Sequence, residues 1–117
     1  MTKTEDQGTA PPFCIRFRVE DLKLVRSAAE REGELATVWT REAGLARAAA
    51  LTSDQRVRKI DFEAPSKGTL GEGLSIRLRK DDLEVLRKAA SQEKCVLGTW
   101  LRAIAIDRAR RVLGKAA

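Results

Sequence analysis

An internal repeat limits what this chain can fold into more than any other feature. The segment from Ile15 to Ala48, shifted by 61 positions, falls on Ile76 to Ala109 without a gap. Phe13-Cys14-Ile15-Arg16-Phe17-Arg18 lies against Leu74-Ser75-Ile76-Arg77-Leu78-Arg79, and Asp21-Leu22 against Asp82-Leu83. Arg26-x-Ala28-Ala29 matches Arg87-x-Ala89-Ala90, and the match continues through Glu32/Glu93, Trp39/Trp100, Arg41/Arg102 and Arg47/Arg108. The chain has two Trp residues, and they occupy equivalent positions. A repeat of this length without insertions implies two copies of one supersecondary unit. Each copy has about 40 residues, a size at which a lone core rarely suffices, so the copies are expected to need each other.

Within each copy the hydrophobic period changes from two to that of a helix. Phe13, Ile15 and Phe17 alternate with Cys14, Arg16 and Arg18, and Leu74, Ile76 and Leu78 alternate with Ser75, Arg77 and Arg79. This alternation predicts strands with one apolar and one cationic face. Leu22, Val25 and Ala29, like Leu83, Leu86 and Ala90, then recur at helical spacing, with Glu20-Asp21 and Asp81-Asp82 placed to complement a helix dipole. Helices are predicted over 19–32 and 80–93. Gly33 supplies a left-handed stop for the first, where the second has Lys94. Second helices are predicted over 36–51 and 97–113, carrying the Trp residues. Thr37 is the expected cap of one; Gly98 takes that place in the other, followed by Thr99.

The division that results is a mobile arm over 1–12, a first copy over 13–51, a connector over 52–73, a second copy over 74–113 and a tail over 114–117. The connector contains Pro65, Gly68, Gly71 and Gly73, and if extended it would span roughly 70 Å. Strand can therefore meet strand within one chain. The expected fold class is mainly α with one short two-stranded antiparallel β-ribbon.

Charge indicates the kind of partner. The chain carries 23 basic and 17 acidic residues, a net +6, which favours an anionic partner. The first copy holds 7 basic and 6 acidic groups, the second 10 and 5, and the connector 4 of each. The second copy is thus expected to supply most of the attraction to a polyanion. There is no His, which removes the commonest general base and zinc nitrogen ligand. Cys14 and Cys95 stand far apart, outside any C-x-x-C spacing, so no metal or other cofactor is expected. With no paired nucleophile and base and no phosphate-cradling glycine loop, an enzyme is not expected. The polar start and the lack of a long apolar run imply a cytoplasmic protein without membrane contact.

Paired antiparallel, the two strands would turn their apolar side chains onto the helices and display Cys14, Arg16 and Arg18 beside Ser75, Arg77 and Arg79. A two-stranded ribbon fits the major groove of B-DNA, where an arginine fork can donate to guanine O6 and N7. Arg16 and Arg77 are the leading base-contact candidates. Arg18 and Arg79, at the strand-to-helix junctions, are placed to reach phosphate or to close the ribbon ends.

Ile15-Arg16-Phe17, Asp21-Leu22-x-Leu24-Val25-Arg26-x-Ala28-Ala29-Glu30-x-Glu32-Gly33 and Arg41-Glu42-Ala43 resemble the ribbon-helix-helix family of Arc/MetJ type. Ile76-Arg77-Leu78, Leu83-x-Val85-Leu86-Arg87-x-Ala89-Ala90 and Trp100-Leu101-Arg102 resemble it equally, and together the matches cover about two-thirds of the chain. The resemblance implies two tandem modules forming an intramolecular pseudo-dimer, with a swapped dimer as the alternative. Carried over, base reading falls to Cys14, Arg16, Ser75 and Arg77. Phosphate would be held at the second-helix starts, around Leu35, Ala36 and Thr37 and around Val96, Leu97, Gly98 and Thr99. Leu35 and Val96 depart from the small polar cap common in the family, and Cys14 is an unusual reader.

The function this implies is sequence-specific double-stranded DNA binding by a bacterial-type, nucleoid-associated transcriptional repressor that self-associates on DNA. Two alternatives share the fold. One is an accessory factor of plasmid transfer that marks an origin for a relaxase; the other is an antitoxin that binds a small toxin, against which the short end at Leu113-Gly114-Lys115-Ala116-Ala117 is read.

Overall fold

The computed structural model describes residues 12–53, 56–62 and 70–114. The arm read at 1–12 and the tail read at 114–117 lie outside these residues, apart from Pro12 and Gly114. Among the described residues, two short strands and four helices follow one another as β1 (Phe13–Arg18), α1 (Val19–Arg31), α2 (Ala36–Thr52), β2 (Leu70–Ile76), α3 (Lys80–Gln92) and α4 (Leu97–Gly114). The chain is mainly helical with one two-stranded antiparallel sheet.

The period-two segments form the ribbon. Ile15, Phe17, Leu74 and Ile76 are buried, as is Leu78 just beyond β2, while Cys14, Arg16, Ser75 and Arg77 are exposed. Burying side chains of this size stabilises by about 1.5–3 kcal/mol each, so the ribbon is held mainly by the core beneath it. The register pairs Phe13 with Ile76, Cys14 with Ser75, Ile15 with Leu74 and Arg16 with Gly73. The equivalent residues Cys14 and Ser75 therefore face each other.

The second strand departs from its expected span of 74–79, beginning at Leu70 and ending at Ile76. With Cys14 opposite Ser75, the same register would set Arg77 against Pro12, which has no N–H to donate. At the other end Arg16 and Arg18 find partners in Gly73 and Leu70, across an irregularity that puts one extra residue on β2. Gly73 belongs there because a Cβ at this position would lie 2.6 Å from the Ile15 carbonyl oxygen.

The remainder of the segment read as a connector is also partly built into the fold. Thr52 closes α2, and Ile60 and Phe62 pack against the core. Arg58 forms a two-pronged ion pair with Asp107 of α4, at 3.1 and 3.2 Å, which Arg111 joins at 3.2 Å. The apolar Ile60 and Phe62 supply the physical reason, since each has surface to bury.

Helix α1 buries Leu22, Val25, Ala28 and Ala29, and α3 buries Leu86, Ala89 and Ala90. Both end on the same motif. Glu34 N–H donates to Ala29 O and Gly33 N–H to Glu30 O; Cys95 N–H donates to Ala90 O and Lys94 N–H to Ser91 O. Gly33 has φ +76° and its equivalent Lys94 has φ +58°. A side chain in this conformation costs about 1–2 kcal/mol, which glycine avoids. Lys94→Gly should therefore raise stability by about 1 kcal/mol, read as a higher midpoint in urea; an unchanged or lower midpoint would refute the strain.

The second helices bury Trp39, Ala43, Gly44 and Ala48 in α2 and Trp100, Leu101, Ile104, Ala105 and Ala109 in α4. Packing is crosswise: α1 lies on α4, and α2 lies on both α3 and α4. Each indole N–H donates to the Glu seven residues earlier, Trp39 to Glu32 at 2.6 Å and Trp100 to Glu93 at 2.8 Å. Glu93 also accepts both prongs of Arg47 from the other copy, each at 2.7 Å. Arg47 lies over the Phe62 ring, and its equivalent Arg108 over Trp39.

Burial alone would push the Glu93 carboxyl up. The hydrogen bonds from Arg47 and Trp100, with the Arg47 charge, outweigh it and hold the group below the usual carboxylate range. A carboxyl lowered on folding contributes stability that is fully present above its unfolded value, about 4.3, and is lost as pH falls through the folded value. Thermal melts should thus show Glu93→Gln less stable than the unaltered chain at neutral pH, by about 1–3 kcal/mol. The difference should shrink below about pH 4; a gap constant with pH would remove Glu93 from the account.

Candidate nucleic-acid interface

The surface to be explained is the outer face of the ribbon. Strand alternation puts Cys14 and Arg16 of β1 and Ser75 of β2 on that face, with Arg77 just past the end of β2, and all four are exposed. The four base-contact candidates are therefore brought onto one surface. Arg16 does not project freely, because its Nε–H donates to the Gly71 carbonyl at 3.1 Å. Arg77 makes no side-chain hydrogen bond or ion pair with the described residues.

The junction arginines differ. Arg79 is exposed, whereas the Arg18 side chain retains 16% of its accessible surface and has Nη1 4.0 Å from Asp21 in the first turn of α1. Arg18 thus sits at the ribbon end and Arg79 is presented to solvent. An open cleft beside β2 is lined by Arg41, Glu42, Arg77, Leu78, Arg79 and Asp82. Three guanidinium groups around two carboxylates leave this end of the ribbon net positive.

Two residues without an assigned role prove central. Arg41 of α2 donates Nη1–H to the Arg77 carbonyl at 3.4 Å, and Arg102 of α4 donates Nη1–H to the Arg16 carbonyl at 3.1 Å. Arg41 and Arg102 are equivalents under the repeat, as are Arg16 and Arg77, so each second helix holds the other copy's backbone at a candidate base-contact residue. The signal was present as a matched pair of arginines; what they touch depends on the crosswise packing.

The second-helix starts lie slightly earlier than the expected caps. Leu35 is the N-cap of α2 and donates no side-chain bond, so Thr37 falls within the first turn. Trp39 N–H donates to Leu35 O at 2.8 Å and Trp100 N–H to Val96 O at 2.9 Å, the matching first bonds of the two helices. The amides ahead of these, at Ala36 and Thr37 and at Leu97, Gly98 and Thr99, have no intrahelical acceptor by the geometry of a helix start. They face the positive end of the dipole and can receive an anion. Leu35 and Val96 are 72% and 70% exposed, so neither side chain closes over these ends. The Thr99 hydroxyl accepts from Arg102 Nη2 at 3.4 Å, which leaves both its O–H and its backbone amide able to donate to a phosphate.

Among the described residues no cluster of three or more His, Cys, Asp or Glu could hold a metal ion, and no helix is long and apolar enough to cross a membrane. Chemically, the surface is an array of N–H donors with a thiol and a hydroxyl at its centre. Such an array suits the recognition of acceptors. Comparison of the chain with family models, with curated proteins and with solved structures gives no significant match.

Proposed function

We propose that the chain is a tandem ribbon-helix-helix protein of Arc/MetJ type. Its two copies form an intramolecular pseudo-dimer that places the β1–β2 ribbon in the major groove of double-stranded DNA as a sequence-specific transcriptional regulator. The observation that carries this reading is the antiparallel ribbon with Cys14 opposite Ser75 and Arg16 and Arg77 turned outward. Arginine forks on a groove-sized ribbon supply bidentate donors for guanine, and the free amides at the starts of α2 and α4 supply two phosphate seats. The crosswise bonds from Arg41 and Arg102 support pairing of the two copies. The net +6 supports a salt-sensitive hold on a polyanion.

Selection of bound duplexes from a random pool tests the reading. One enriched motif is expected, with affinity falling as salt rises. Arg77→Ala should cost about 1–3 kcal/mol and relax preference at one base pair. Retention of every sequence alike would overturn base reading, and no retention would overturn DNA binding. Sedimentation without DNA should give a monomer at low micromolar concentration, and a stable dimer would replace the intramolecular form with a swapped one. The unequal ribbon ends also favour the plasmid-transfer reading, in which an origin must be marked with direction; co-purification of a relaxase with the chain would select it.

A further inference from the structure

Away from the ribbon, the connector and the end of α4 bring a second set of cations together. The segments 56–62 and 107–111 carry six basic residues against Asp61 and Asp107, which accounts for four of the chain's net +6. Arg56, Arg58, Lys59, Arg110 and Arg111 are exposed. The place is distinct from the reading face. The first turn of α4 meets the ribbon, where a Cβ at Gly98 would lie 3.7 Å from the Phe13 ring. Arg111 is about 20 Å further down the same helix axis.

A single carboxylate organises the cluster. Asp107 accepts from Nε and Nη2 of Arg58 at 3.1 and 3.2 Å and from Nε of Arg111 at 3.2 Å. Nη1 of Arg58 and both Nη groups of Arg111 keep donors without an acceptor among the described residues, on side chains that are 55% and 45% exposed. Arg56, Lys59 and Arg110 make no side-chain hydrogen bond or ion pair among the described residues. Arg111 has a local reason for its place, since it lies in the last turn of α4 and complements the helix dipole. Arg58 has none, because the connector is not helical there. Its docking sets two guanidinium groups on one carboxylate, with three further cations alongside in sequence, and an outside anion would relieve that repulsion.

We propose that Arg56, Arg58, Lys59, Arg110 and Arg111 form a second polyanion-binding surface. It takes the phosphate backbone of one stretch of duplex DNA while the ribbon holds another. The holding of two stretches rests on the DNA-reading proposal above, whereas the surface itself stands on its own charge. Four of its five cations are arginines, whose forks match phosphate oxygens. The large apolar side chains exposed among the described residues are Val19, Leu35, Val85 and Val96, and all lie outside it. A protein partner would need apolar anchors of that kind. A phosphate backbone is held by charge and without regard to sequence.

The triple variant Arg56→Ala, Lys59→Ala and Arg110→Ala tests the proposal, because it leaves the Arg58–Asp107–Arg111 cluster in place. Its thermal midpoint should match that of the unaltered chain, as surface changes without contacts do. On a duplex lacking the selected motif, the slope of log affinity against log salt should become shallower by about 2–3, with the motif preference unchanged. A control with the same net charge, Arg31→Ala, Arg87→Ala and Lys88→Ala, should shift the slope much less; an equal shift would reduce the effect to overall charge and overturn the surface. Bead-bound motif duplex should retain a labelled motif-free duplex through the unaltered chain but not through the triple variant. Failure of the unaltered chain to retain it would overturn the second hold and leave motif reading intact. Displacement of the motif-free duplex by polyglutamate at matched charge would replace the phosphate backbone with an acidic peptide as the partner. Selection that enriches no motif, with the slope still dependent on the three cations, would overturn the ribbon reading and leave this surface standing.

Discussion

Trp100→Ala should lower stability by about 3–5 kcal/mol, the range for removing a large aromatic side chain from a packed core. Domains of this size are commonly stable by about 5–15 kcal/mol, so one substitution would consume a large share. Trp100 has no solvent exposure, and its indole N–H donates to Glu93 at 2.8 Å. Glu93 is also where Arg47 of the first copy arrives with two short bonds. Truncation therefore opens a cavity and removes one of the donors that hold a mostly buried carboxylate in place. Trp39→Ala should be somewhat milder. Its partner Glu32 is exposed, so water can replace the lost indole donor. Urea denaturation measures both; a midpoint unchanged in Trp100→Ala would refute the core placement of the ring and the coupling of the copies through Glu93.

Much of this was legible in the sequence because the repeat doubled every signal. The switch from period two to helical spacing placed β1 and the starts of all four helices at the observed residues, and equal spacing placed both Trp residues on buried faces. Where sequence reasoning stopped short, the cause lies in long-range pairing. The span of β2 depends on which residues oppose β1: the register would set Arg77 against Pro12, which has no N–H to donate, while Gly73 can approach Arg16 closely. Local alternation around Leu74 to Arg79 carries no record of that. Lys94 looked like a lost helix stop, yet it adopts the left-handed conformation of Gly33 because the helix–helix corner on either side requires it. Arg16 and Arg77 were legible as equals. Their inequality arises from the Gly71 carbonyl, a backbone atom brought in from the segment read as a tether.

Exchange of side chains between Gly44 and Leu101 should show how strongly the two copies select each other. Gly44 of α2 faces Leu101 of α4 so closely that a Cβ would lie 2.5 Å from one Leu101 methyl and 3.3 Å from one of Leu86. The equivalent of Gly44 is Ala105 and that of Leu101 is Thr40, so the fit of large onto small exists only when unlike copies meet. Two first copies would set Thr40 where Leu101 packs, leaving a void; two second copies would drive the Ala105 methyl into Leu101. Leu101→Ala should cost about 2–5 kcal/mol, and Gly44→Leu about 1–3 kcal/mol through overpacking. Combined, they should cost less than their sum by about 1–3 kcal/mol, because the new leucine fills the space the old one left. Strict additivity in urea denaturation would show that the two positions do not share that space. The coupling bears on function through the ribbon, since under the proposed reading a chain that pairs only unlike copies always presents Cys14 against Ser75. With unlike residues on the two strands, one orientation on a non-palindromic sequence would be favoured over its reverse. A homodimer, whose two ends are identical, has no physical means of making that distinction.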